Sequence, residues 1–363
     1  MSAPSGERSP YTRLVEKAFS EAIPLSAQVE ITFRCNHRCA FCYNAPSARL
    51  EMTTRQVCEA LGKIADLGVL YLTLTGGEPL CREDFWEIAS EVRRLGMALR
   101  IYTNGYLVAD PAVARRIAGL RPLEAEVSLH GSRPGIHDAL TGVPGSFERT
   151  VSGIRNLRSS GVRVQLKCPI TRLNQEDLRE IKSLALSLDS YLTFDAVITP
   201  KDDGSLDPLA LRPEDGFLEK YWGEWYLELH DGKAPPRTEP CTPDRVEAVC
   251  GSARGGFTVD PYGEVFPCVA MRRSAGNILE IESLAKVWRE SPVLQEVRAL
   301  AVEARRRLDA HEDGPYFSFC MGVAEKQTGD PLGLYPQAEI NARAVRRAHG
   351  RLGAGGPAGR KTP

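Results

Sequence analysis

The 363-residue chain has no continuous apolar run near the roughly 18 residues that a membrane-spanning helix requires, and its polar opening stretch MSAPSGERSPYTR leads into none. No membrane partner and no secretory route are expected, and the reading is a cytoplasmic protein. An excess of charge of either sign is also missing. With 46 lysines and arginines against 47 aspartates and glutamates, the chain lacks the electrostatic footprint of a nucleic-acid partner, and its partners must be read from sites. Cysteine is not scarce. Ten cysteines in a chain without a secretion signal are poorly explained as disulfides, because the cytosol keeps thiols reduced, so metal ligation becomes the leading explanation. They fall into a tight trio, Cys35, Cys39 and Cys42, and a looser set, Cys241, Cys250, Cys268 and Cys320. The remaining Cys58, Cys81 and Cys168 read as small apolar residues. The grouping suggests two metal sites.

From about residue 27 to 200, short β-branched or aliphatic runs alternate with amphipathic helical windows, the pattern of repeated βα units and a parallel sheet. Strands are predicted at 28–33, 70–75, 98–102, 125–129, 162–167 and 191–198. Thr53 and Gln56 form a capping box ahead of Val57, Leu61, Ile64 and Ala65, whose spacing makes one apolar helical face. Further helices are predicted at 84–95, 111–118, 146–159 and 175–188. The domain reading is an N-terminal extension over 1–26, a core over 27–205, a helical connector over 206–240, a compact second unit over 241–335 and a basic tail over 336–363. The second unit contains FTVDPYGEVFPC, a hairpin around an Asp-Pro-Tyr-Gly turn that ends on Cys268. The tail, with scattered arginines and glycines, is expected to be disordered or a frayed helix.

In parallel sheets the functional loops gather at the carboxyl ends of the strands, beside the unpaired N–H groups of helix N-termini. CNHRCAFCYN follows the first strand, GGEP the second, TNG the third and HG the fourth. The cysteine trio supplies only three thiolates. A structural zinc site needs a fourth ligand, which His37 could supply, whereas a cubane iron–sulfur cluster, normally held by four cysteines, would keep one iron open to a small chelating molecule. Gly76 and Gly77 let backbone approach a ligand closely, and Pro79 fixes the chain just after Glu78, so this loop can hold a charged amine.

Together, CxxxCxxC with Phe41 before the last cysteine and the GGEP loop resemble the radical S-adenosylmethionine (SAM) superfamily. The resemblance covers about residues 27–335. It implies an α/β fold, a partial (β/α)6 TIM-like barrel with a small C-terminal auxiliary-cluster domain. It further implies a [4Fe–4S] cluster held by Cys35, Cys39 and Cys42 and completed by SAM, with Gly76, Gly77, Glu78 and Pro79 at the methionine amino group. Thr103, Asn104, Ser128 and Asn174 would line the SAM pocket. Reductive cleavage of SAM to a 5′-deoxyadenosyl radical, followed by hydrogen abstraction from substrate, is the chemistry that follows. One departure stands out: many relatives carry an arginine shortly after the His-Asp pair, where this chain has Thr141, so Lys167 is the candidate for the SAM carboxylate.

The second cysteine set resembles the SPASM and twitch appendages of radical SAM peptide maturases, with Gly263 ahead of Cys268 as in their Gly-x4-Cys element. No cysteine lies between Cys268 and Cys320. One auxiliary [4Fe–4S] cluster is therefore expected, on Cys241, Cys250, Cys268 and Cys320. Asp195, His130 and Asp260 are candidates for moving a proton after hydrogen abstraction. The resemblance implies a maturase acting on a ribosomally made peptide. The alternatives are small-molecule cofactor or antibiotic biosynthesis, and a non-catalytic iron–sulfur sensor. An external one-electron reductant such as flavodoxin or ferredoxin, and a separate peptide-recognition protein, are the expected partners.

Overall fold

The computed structural model describes residues 9–239 and 247–354. Eight strands form one sheet in the order β6-β5-β4-β3-β2-β1-β7-β8. They are β1 (Ser26–Thr32), β2 (Tyr71–Gly76), β3 (Ala98–Thr103), β4 (Glu124–Ser128), β5 (Val164–Pro169), β6 (Tyr191–Asp195), β7 (Gly256–Val259) and β8 (Val265–Phe266). The first six are parallel throughout, and only the β7–β8 pair is antiparallel. The sheet does not close: β6 and β8 are its two edges, so the barrel is partial.

Alternation along each strand sorts the two faces. Val29, Ile31, Leu72, Leu74, Leu99, Ile101, Ala125, Val127, Val164 and Leu166 are fully buried on the helix-covered face. Each large aliphatic among them contributes about 1.5–3 kcal/mol by leaving water. The intervening positions, Gln28, Thr73, Arg100, Glu126 and Lys167 among them, put polar groups on the opposite, concave face.

The covering helices are α1 (Pro10–Ser20), α2 (Thr54–Asp66), α3 (Phe85–Arg94), α4 (Pro111–Gly119), α5 (Pro134–Thr141), α6 (Ser146–Ser159) and α7 (Leu178–Ser187). On α2 the predicted capping box is present, with Thr53 N–H donating to Gln56 Oε1 at 2.9 Å, and Val57, Ala60, Leu61 and Ile64 form the buried stripe. Helix α5 lies outside the predicted set, because Pro-Gly at its start reads as a turn and it is only eight residues long.

The connector holds α8 (Asp215–Lys220), a π-turn over Tyr221–Trp225 and α9 (Tyr226–Leu229). Beyond it follow α10 (Leu284–Glu290), α11 (Pro292–Asp309), α12 (Met321–Thr328) and α13 (Pro336–Ala354). Two expectations are corrected here. The hairpin is not confined to a separate unit, since β7 pairs in parallel with β1 from Ser26↔Gly256 to Val29↔Val259 and extends the main sheet. Nor is the described part of the tail disordered: over 336–354, α13 buries Gln337, Ala338, Asn341, Ala342 and Val345, and Asn341 Oδ1 accepts from Trp222 Nε1 at 2.8 Å. Its first turn reaches the chain leaving β6, where Gln337 Nε2 donates to Ala196 O and Gln337 Oε1 accepts from Ile198 N–H.

Candidate active site and metal centres

The loop after β1 is bound to the rest of the barrel mouth by main-chain contacts. Gly77 N–H donates to Thr32 O at 2.8 Å and Glu78 N–H to Arg34 O at 2.9 Å. Both glycines are required for this approach. A Cβ on Gly77 would lie 2.5 Å from Arg34 O, and one on Gly76, whose φ is 136°, would lie 2.1 Å from Thr32 O. On the other side of the loop, Arg38 N–H and Ala40 N–H donate to Thr141 O and Leu140 O at the end of α5. Thr141 thus serves the cysteine loop through its carbonyl. Phe41 packs edge-on against His130, 4.8 Å between centroids, and Asn44 Nδ2 donates to Gly76 O at 3.1 Å.

The Glu78 carboxylate is fully buried and accepts from Thr103 Oγ1 at 2.8 Å, from Asn104 N–H at 2.7 Å and from Leu80 N–H at 3.2 Å. Burial pushes its carboxyl up to about 7 against those three bonds. The glutamate therefore ties the second motif to the third. Asn104 Nδ2 in turn donates to Asn36 Oδ1 at 2.7 Å and lies 3.9 Å from Cys35 Sγ.

Burial is also what raises the thiols, Cys35 to about 11 and Cys39 to about 12, with Cys42 moved in the same direction. Cys42 raises Cys35 and Cys39 further, and Cys35 also raises Cys39, as neighbouring anions would. Such thiols become thiolates when a cationic centre offsets the burial. The His37 amide donates to Cys35 Sγ at 3.4 Å. The donor set and the glycine cradle fit a cluster ligated by three thiolates. Among the described residues, no three His, Cys, Asp or Glu side chains are arranged to hold a single metal ion. The His37 ring, the fourth ligand of the zinc alternative, packs edge-on against Tyr106, 5.5 Å between centroids. Cys81, read from sequence as an apolar filler, stands close enough to Cys35 to raise it and accepts the Asn36 N–H. Its position two residues past GGEP was the signal available.

Further candidates separate by where their polar atoms go. Ser128 ends β4 opposite Lys167 on β5. Lys167 acts on two carboxyls of the concave wall, favouring the charged forms of Glu126 and Asp195. Glu126, absent from the sequence reading, is pushed up to about 7 by burial in that wall. Asp195 reaches solvent at the end of β6, yet desolvation by the surrounding wall raises its carboxyl.

Asn174 was expected beside SAM, but its side chain is wholly buried: Oδ1 accepts from Thr171 N–H at 2.7 Å, and Nδ2 donates to His130 O and Pro169 O at 3.0 Å each. It holds the loop after β5 together. Asp260 likewise has a turn role, its Oδ1 accepting the N–H groups of Tyr262 and Glu264 at 2.9 Å. His130 is buried and held neutral by desolvation and the neighbouring His137, against whose ring it stacks.

At the second centre, Cys250, Cys268 and Cys320 form one electrostatic group: burial raises Cys250 and pushes Cys320 up to about 11, and Cys268 raises both. The turn after Cys268 sits on the start of α12, where a Cβ on Gly322 would lie 2.6 Å from Ala270 main chain. Cys320 is the residue that caps this helix. Cys241, the proposed fourth ligand, lies outside the described residues.

Comparison with known proteins matches residues 29–185 to the radical SAM superfamily and residues 250–320 to SPASM, an iron–sulfur cluster-binding domain. The chain is 28% identical over 306 residues to the mycofactocin maturase of Mycobacterium tuberculosis, covering 80% of this chain and 77% of that one. It is equally 28% identical, over 333 residues, to the AdoMet-dependent heme synthase of Methanosarcina barkeri, covering 84% and 93%. Among solved structures the fold is similar to Streptococcus suis SuiB bound to its precursor peptide, at TM-score 0.64 and 16% identity over 93% of this chain and 84% of that one. It is also similar to anSMEcpe with bound AdoMet, at TM-score 0.65 and 17% identity over 91% and 98%.

Proposed function

Because the chain belongs to the radical SAM superfamily and carries a SPASM-type iron–sulfur domain, we propose that it is a maturase that modifies a ribosomally synthesised peptide. The observation that carries the reading is the convergence at the barrel mouth. The Cys35, Cys39 and Cys42 loop, the GGEP loop and Thr103–Asn104 are tied to one another by Glu78 and by the glycine contacts. Cys35, Cys39 and Cys42 would hold one cluster, and Cys250, Cys268 and Cys320, with Cys241, an auxiliary one. With SAM bound, the first cluster supplies the one-electron cleavage that yields a 5′-deoxyadenosyl radical.

The chain's own groups do the remaining work. The main chain of Gly76 and Gly77 receives the polar end of SAM, Asn104 holds Asn36 beside Cys35, and the concave wall orients the substrate. Lys167, Glu126 and Asp195 make that wall polar, so a substrate there meets groups able to hold charge and to take up a proton. Peptide maturation is supported by the mycofactocin maturase likeness. The heme synthase likeness favours a second reading, a small-molecule oxidoreductase. An external one-electron donor of the flavodoxin or ferredoxin type would reduce the clusters, and a separate protein could present the peptide.

Anaerobically reconstituted protein, reduced and given SAM, is expected to release 5′-deoxyadenosine. A Cys35, Cys39 and Cys42 triple alanine variant would lose both this product and the iron–sulfur absorbance of that centre. A wild type that leaves SAM intact removes the proposal. Recovery of a mass-shifted peptide after co-expression with candidate precursor peptides separates the maturase from the small-molecule enzyme.

A further inference from the structure

A group of buried charges joins the two thiol-bearing regions. Glu30, on β1, is 1% exposed and is held by the fork of Arg272, Nη1 to Oε2 at 2.8 Å and Nη2 to Oε1 at 2.9 Å. The same guanidinium donates through Nε to Asp202 Oδ2 at 3.0 Å, and Lys326 Nζ lies 2.7 Å from Asp202 Oδ1. Two cations balance two carboxylates, and no side chain of the four is more than 13% exposed.

The places of these residues in the chain give the group its meaning. Asp202 N–H donates to the carbonyl of Tyr43, the residue after Cys42, at 2.8 Å. Arg272 lies four residues past Cys268, just beyond the turn closed by Met271 N–H on Cys268 O at 3.3 Å. Lys326 belongs to α12, the helix capped by Cys320. One tetrad therefore reaches a segment next to a cysteine of the first centre and segments next to two cysteines of the second.

We propose that Glu30, Arg272, Asp202 and Lys326 form a strut that fixes the spacing and orientation of the two iron–sulfur sites, with Arg272 as its positioning residue. The proposal rests on reading the two cysteine sets as cluster ligands. Buried ion groups give little net stability compared with apolar packing, and in some proteins they are kept for the specific geometry they impose. The planar guanidinium meets Glu30 through two parallel bonds on one edge and Asp202 on a second edge, so their relative placement is set by its rigid fork. A lysine at this position keeps the charge and loses the fork.

The test uses the full chain, reconstituted anaerobically, as wild type, Arg272→Lys and Lys326→Met. Iron content and the magnetic coupling between the two reduced clusters, read by pulsed electron paramagnetic resonance, are the measurements. Wild type is expected to carry about eight irons and one defined coupling. Arg272→Lys should retain the iron and lose the single coupling to a spread of values. An Arg272→Lys protein with full iron and the wild-type coupling overturns the strut. If that variant does not fold, Lys326→Met decides, and wild-type coupling in it overturns the strut equally. A wild type with about four irons is a different failure, because it removes the second cluster itself.

Discussion

Adding one methyl group at Gly77 tests the architecture of the barrel mouth. The new Cβ would stand 2.5 Å from Arg34 O, 2.7 Å from Phe33 O and 2.9 Å from Arg34 C, all main-chain atoms that no rotamer change can move. The loop after β1 must therefore retreat, straining the bonds from Gly77 N–H to Thr32 O and from Glu78 N–H to Arg34 O. Overpacking costs about 1–3 kcal/mol, and two weakened hydrogen bonds add about 1 kcal/mol together, so the loss is about 3 kcal/mol. With an unfolding entropy of about 2.1 cal/mol/K per residue and 363 residues, that lowers Tm by about 4 °C. Gly62→Ala supplies the control: this helix glycine has nothing within 4 Å of the added Cβ, so the variant gains about 1 kcal/mol of helix propensity and rises by about 1 °C. Calorimetry of both apoproteins, with SAM titration of the reconstituted forms, reads the result. Gly77→Ala should also bind SAM at least about tenfold more weakly, a difference of 1.4 kcal/mol. A Gly77→Ala protein as stable as Gly62→Ala refutes the close-approach argument.

Three further outcomes are expected. The Glu78 carboxyl is raised to about 7 from an ordinary 4.5, so the folded state holds its proton more tightly than the unfolded one, and stability falls as pH rises between those values. Glu78→Gln should flatten this decline in denaturant unfolding of the apoprotein at pH 5 and pH 8. An unchanged slope would show that the burial of this carboxyl has been misjudged. Replacing Cys250, Cys268 and Cys320 together by alanine should lower iron from about eight to about four per chain while SAM cleavage persists; retention of all the iron assigns those thiols no ligand role. Ending the chain before Pro336 removes the partner of Trp222 Nε1, so tryptophan emission should shift to the red and Tm should fall. A truncated protein with wild-type emission would mean that α13 is dispensable to the connector.

Much of this was legible in the sequence because the signals were local. The two-residue alternation of Val29, Ile31, Leu72 and Leu74 marks strands, and Thr53 with Gln56 marks the start of α2. The trio stood out by its spacing and GGEP by its residue types after the second strand, and the resemblance of the two together to a known family gave them their roles. What escaped depends on partners distant in sequence. Helix α13 buries Ala338, Ala342, Ala344 and Ala348, residues too small to stand out as an apolar stripe, and its value lies in close approach to the connector. Asn174 is a polar residue just past a strand end, where sequence cannot separate a loop-building role from a ligand-facing one. Glu126 was missed for the opposite reason: an acidic residue within a strand reads as solvent-facing, while the curved sheet turns it inward.

Gln337 has a consequence for biosynthesis. Its amide meets the main chain at Ala196 and Ile198, just past the edge strand β6, as a neighbouring strand would. This contact comes from a residue translated about 140 positions after its partners. Until the ribosome has delivered it, the Ala196 carbonyl and the Ile198 amide lack this partner and stay open to pairing with another chain. Docking of α13 thus acts as a built-in shield for the chain that leaves β6, and it can act only once that helix has been made.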